Sequence, residues 1–151
     1  MVRVKGLNIG SGRPKICAPL IGAVREEVLR EAVLAREAGA DLVEWRVDHY
    51  RKVFSFDEVA ETLVLIHEML DGLPLLFTFR TLAEGGEQDI SIRQYRDLYE
   101  HVIHTGLVDM VDIELFKRNI FGMEFLFNHC LELFYRDIRS ICRRNKYPVF
   151  C

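Results

Sequence analysis

The chain has 151 residues, half of them hydrophobic, with a formal net charge of −3 and a pI near 6.0. That length can bury a real core, and the near-neutral balance gives no reason to expect nucleic acid or an anionic membrane as partner. The N-terminus lacks the apolar stretch of a signal peptide, and the run 120–135, broken by Glu124, His129 and Glu132, does not read as a membrane span.

In chain order, residues 15–21 (KICAPLI) read as a first strand. Val24, Val28, Leu29, Ala32, Val33 and Ala38 then recur at helical spacing, with Arg25, Glu26, Glu27, Arg30 and Glu31 opposite them. Gly39 sits where a helix C-terminal cap belongs. Residues 41–48 (DLVEWRVD) make a second strand. Ser55 with Glu58 reads as a capping box opening a helix through Val59, Leu63, Ile66 and Leu70, which Gly72 ends. Residues 75–79 form a third, apolar strand closed by Arg80, and a polar loop with Glu84, Gly85, Gly86 and Glu87 follows. Ser91 with Gln94 is a second capping box, and Ile92, Tyr95, Leu98, Val102 and Ile103 give the third helix its buried face. After Gly106, residues 107–116 (LVDMVDIELF) make a fourth strand.

The glycines at 39, 72 and 106 lie 33 and 34 residues apart, each closing a helix ahead of a strand. A repeated βα unit implies a parallel sheet, and right-handed crossovers leave a doubly wound sheet or a barrel. Polar residues within the strands favour the barrel. Glu44, Arg46 and Asp48 share one face of the second strand, and Asp112 and Glu114 share one face of the fourth. An eight-unit α/β barrel takes about 250 residues, so four strands amount to half of one.

Glu44, Arg46, Arg80, Glu84 and Glu114 converge at the C-terminal strand ends, where such a barrel keeps its active site. Two arginines with several carboxylates suit a small polyhydroxylated acid, since carboxylates accept from hydroxyls and guanidiniums donate to them. The same set also suits an internal salt-bridge network that orders the barrel mouth.

The motifs EWRVDHY (44–50), LLFTFRTLAEGGEQ (75–88) and GLVDMVDIELF (106–116), with the opening KGLNIGSGRPKICAPLIG, resemble type I 3-dehydroquinate dehydratase over roughly residues 1–116. The resemblance implies a (β/α)8 TIM barrel, usually a homodimer, in the shikimate pathway of aromatic amino acid biosynthesis. The implied reaction is that of a hydro-lyase: 3-dehydroquinate loses water to give 3-dehydroshikimate, with no metal or organic cofactor. A lysine forms an imine (Schiff base) with the substrate ketone and a histidine moves protons. By the same resemblance Glu44, Arg46 and Arg80 hold the substrate hydroxyls, and Glu84 is the auxiliary carboxylate near the catalytic histidine. Pro19 falls where some members carry a serine that touches substrate, and no contact is assigned to it.

The family pattern stops at Phe116. Counting from Glu114 puts the histidine near Ile141, within RSICRRNKY, and the imine lysine beyond Cys151. Residues 117–151 hold three of the four cysteines and the basic cluster Arg139, Arg143, Arg144 and Lys146. They read as a divergent or out-of-frame tail, helical in part. Cys17, Cys130, Cys142 and Cys151 show no C-x-x-C spacing, which suits a reduced, cytoplasmic protein. Lys117 directly follows the fourth strand, and an exposed amine there stays protonated at a pKa of about 10.4. His129 with Cys130 lacks the partners of a metal site. His67, His101 and His104 lie on predicted helices, and His49 falls past a strand end. The expectation is a truncated, inactive form of the dehydratase; the alternative is a non-catalytic half-barrel acting as a binding or interaction module.

Overall fold

The computed structural model describes residues 2–114. The expected tail at 117–151, with Lys117, His129 and Cys130, lies outside them. The chain opens with an antiparallel hairpin, β1 (Val2–Val4) and β2 (Leu7–Ile9), that the sequence pattern did not announce. Lys5 and Gly6 join its strands with φ of 43° and 83°, the two positive angles of the turn whose twist matches a paired ribbon. Lys5 Nζ reaches Asp109 Oδ2 at 3.0 Å, tying the hairpin to the approach of the last strand.

A parallel sheet follows, with β3 (Cys17–Leu20), β4 (Leu42–Arg46), β5 (Leu75–Thr78) and β6 (Met110–Asp112) side by side in chain order. Spatial order that never reverses is the start of a barrel, whereas a doubly wound sheet turns back at a switch point. The helices α1 (Arg25–Glu37), α2 (Phe56–Leu70) and α3 (Ile92–His104) fill the crossovers. Val43 and Trp45 of β4 and Leu75 and Phe77 of β5 join Val28, Val59, Leu63 and Leu98 of the helices in one buried cluster. Trp45 meets Phe77 edge-on with ring centroids 5.8 Å apart, and Phe77 meets Tyr99 at 5.4 Å. Because strand side chains alternate, the opposite face carries the remaining residues in two rows. Glu44, Leu76 and Met110 are aligned across it, and so are Arg46, Thr78 and Asp112.

Two expectations need correction. The second strand stops at Arg46, and Val47–His49 turn into a 3-10 helix. Asp48 therefore leaves the polar face of the sheet and is fully buried. Ser55 precedes α2 but makes no side-chain cap hydrogen bond. Its expected partner Glu58 is drawn away, accepting from Arg25 Nη2 at 2.8 Å and Lys52 Nζ at 2.7 Å. The box at Ser91 and Gln94 forms as expected, with both reciprocal bonds present. The left-handed cap of α2 falls on Asp71, one residue before Gly72.

Candidate functional site

The polar ends of β4, β5 and β6 are built from short-range geometry that the sheet brings into line. Glu44 projects from the middle of β4 and accepts a 2.7 Å hydrogen bond from the buried Thr78 hydroxyl of β5. Arg46, one turn of the pleat further on, lays its guanidinium flat on Asp48. Nε donates to Oδ1 and Nη2 to Oδ2, each at 2.9 Å. This two-pronged pairing is the strongest geometry available to an arginine and a carboxylate. The bond to Asp48 raises the Arg46 pKa, with a smaller contribution from Glu44.

Asp48 is the organising residue of these strand ends that pattern-reading passed over. Burial opposes its charge, yet the Arg46 fork and the amides of Arg80 and Glu87 together hold its carboxyl below the usual carboxylate range. Those amides donate at 3.3 Å each. The Gln88 side-chain amide also donates to the Asp48 carbonyl, at 2.6 Å. One carboxylate thus fixes the end of β4, the end of β5 and the far side of the 80–88 loop. The only local clue was an acid two residues after an arginine; its other partners lie 32 to 40 residues away.

Arg80 stands two residues past β5. Its Nη2 donates to Asp112 Oδ2 at 2.9 Å, and its Nε lies 3.6 Å from Glu114 Oε1. Glu114 is nearly buried and accepts from both the amide and the hydroxyl of Thr81, at 2.9 and 2.7 Å. Neither Arg46 nor Arg80 uses Nη1 on another described residue. Glu84 closes a 3-10 turn at Leu82–Glu84 and is exposed, apart from the other three. The loop behind it is tight. A Cβ on Gly86 would fall 1.9 Å from the Arg80 carbonyl oxygen, so only glycine fits.

The remaining sequence candidates fall elsewhere. His67 lies on α2 and His101 and His104 on α3. His49 sits with Nε2 3.8 Å from Asp48 Oδ2, at the edge of the site. Pro19 and Cys17 are exposed on β3, and partial desolvation of the sulfur by its neighbours, followed by the charge of Glu44, raises the Cys17 thiol pKa. Among the described residues no group of three or more His, Cys, Asp or Glu is placed to hold a metal ion. No described helix is long and apolar enough to cross a membrane.

Set against known proteins, residues 16–126 match the sequence profile of Type I 3-dehydroquinase. A 3-dehydroquinate dehydratase of Clostridium botulinum is 47% identical over 116 residues, covering 77% of this chain and 46% of the relative. One from Salmonella typhimurium is 46% identical over 115 residues, covering 76% and 46%. The solved 3-dehydroquinate dehydratase of Enterococcus faecalis superposes with a TM-score of 0.82 at 38% identity, covering 88% of this chain and 55% of that one. The type I enzyme of Clostridium difficile, solved with covalent modified comenic acid, gives 0.79 at 38% identity, covering 89% and 51%. The chain spans about half the length of the relatives it matches. Its four parallel strands, three of them followed by a described helix, are accordingly part of one half of a (β/α)8 barrel. With its sheet order, its polar strand ends and these matches in agreement, the chain belongs to the type I 3-dehydroquinase family.

Proposed function

We propose that this half-barrel supplies the hydroxyl-gripping wall of a 3-dehydroquinate dehydratase, a hydro-lyase that converts 3-dehydroquinate to 3-dehydroshikimate in the shikimate pathway. One observation carries the reading. Two guanidiniums, Arg46 and Arg80, are pre-aimed by protein carboxylates at neighbouring strand ends, and among the described residues neither spends Nη1 on a side-chain bond. Donors fixed in advance lose little entropy when a ligand hydroxyl arrives, and a hydroxylated acid offers the acceptors they need. Glu44, held by Thr78 through one oxygen, has its other oxygen left to accept from a hydroxyl. Glu84, on the exposed loop, is available to a proton-moving group opposite.

The described residues bind and orient; none is assigned the imine. Strands β3 to β6 contain no lysine; Lys5 and Lys52 are engaged with Asp109 and Glu58, and Lys15 precedes β3, where its charge acts on Asp41. In the whole protein the reaction uses no cofactor, the partner is a second copy of the same chain, and the setting is the cytoplasm. Titration calorimetry of the 151-residue chain with 3-dehydroquinate tests the reading. The expected result is saturable binding that Arg80→Ala weakens about tenfold or more, with no rise in enone absorbance from 3-dehydroshikimate. Binding unchanged by Arg80→Ala and Arg46→Ala, or none at all, would overturn it.

A further inference from the structure

Residues β5 and β6 pair regularly only as far as Thr78 opposite Asp112. Past that point the two strands are joined by side chains of α3. The Tyr99 hydroxyl accepts from the Phe79 amide at 2.9 Å and donates to the Asp112 carbonyl, standing where a strand-to-strand bond would otherwise run. The Tyr95 hydroxyl accepts from the Glu114 amide at 3.1 Å. Both tyrosines are buried, 1% and 0% exposed, so the Tyr99 hydroxyl is a fixed bridge between the two strand ends and the Tyr95 hydroxyl fixes the chain past β6. The Glu114 carboxylate makes a second bridge, taking both donors of Thr81 and lying beside Arg80 Nε.

We propose that Glu114 is a positioning residue for Arg80, a reading that rests on Arg80 being a substrate donor. Arg80 is attached to Thr81, and Thr81 is clamped on Glu114 by two bonds. The charge of Glu114 also faces the Nε edge of the guanidinium while Asp112 holds Nη2. Two of the three nitrogens are thereby faced by carboxylates, and among the described residues Nη1 is the one left without one. Without the Glu114 carboxylate, the guanidinium is held on one side alone and rotates about the Asp112 contact. The residue would then shape affinity without touching the ligand.

The test is the rate at which phenylglyoxal modifies each arginine of the 151-residue chain, read peptide by peptide by mass spectrometry. Glu114→Gln should accelerate modification of Arg80 about fivefold, the size expected for losing one charge-assisted contact. Arg13 and Arg93, whose side chains are 62% and 85% exposed, should not change and serve as controls for reagent reactivity. With 3-dehydroquinate present, Arg80 should be protected in the native chain, and protection in Glu114→Gln should need about tenfold more ligand. An Arg80 rate unchanged by Glu114→Gln overturns the positioning role whatever the ligand does. Acceleration without any protection by 3-dehydroquinate sinks the substrate reading and leaves the clamp standing. If the half-buried arginines Arg25 and Arg46 speed up together with Arg80, Thr81→Val, which removes one of the two ties, decides. Selective acceleration at Arg80 supports the proposal, and an unchanged or uniform rate overturns it.

Discussion

At the scale of single residues, the site is organised by carboxylates more than by the arginines that announced it. The motifs singled out Glu44, Arg46 and Arg80 by resemblance, while their convergence alone suited a binding set and a salt-bridge network equally. The sequence did not point to Asp48, whose importance comes from amides at Arg80 and Glu87, brought near only by the sheet. Asp48 has a folded pKa below its unfolded value of about 3.9. The stability it contributes is therefore fully present above that value and is lost as pH falls through the folded pKa. Asp48→Asn leaves Arg46 without its counter-charge, and we expect it to lower stability at neutral pH by about 3 kcal/mol. It should also flatten the acid limb of the stability curve. Urea melts across the acid range would show this, and parallel acid limbs for the two chains would contradict it.

At the scale of elements, local rules succeeded where the local partner was free and failed where a tertiary partner outbid it. Ser91 and Gln94 cap α3 as their spacing suggests, whereas Glu58 abandons Ser55 for Arg25 and Lys52. Ser91→Ala should therefore cost about 1 kcal/mol, and Ser55→Ala should stay within about 0.5 kcal/mol. Equal losses in thermal melts would show that the two caps are alike after all. The βα rhythm was legible because left-handed glycines close each crossover at Gly39, Gly72 and Gly106. The hairpin β1–β2 was not, since two three-residue strands carry too little alternation to register. The two glycines of the loop at 80–88 differ in kind. Gly85 has a φ of 84° in open space, so Gly85→Ala should cost about 1 kcal/mol. Gly86→Ala drives a methyl into the Arg80 carbonyl, and we expect roughly 3 kcal/mol. Denaturant melts that reversed this order would contradict the tight fold-back of the loop.

At the scale of the whole molecule, β3 and β6 each have one strand neighbour among the described residues. Unpaired strand edges template association, so the 151-residue chain is expected to scatter light as a dimer or larger species. Its near-UV dichroism should remain strong, because Trp45 is fully buried and wedged edge-on against Tyr50 and Phe77. A monodisperse monomer would mean that the edges are covered. The ion pair between Lys5 and Asp109 has a consequence in time. It closes a loop embracing nearly all of the described chain, and large loops are slow to close and costly in entropy. The hairpin is therefore expected to dock late as the protein folds and to open early when it breathes. Its amides should exchange with deuterium sooner than those of β4 and β5, and a chain emerging from the ribosome must carry its first residues unattached until almost the whole sheet has followed them.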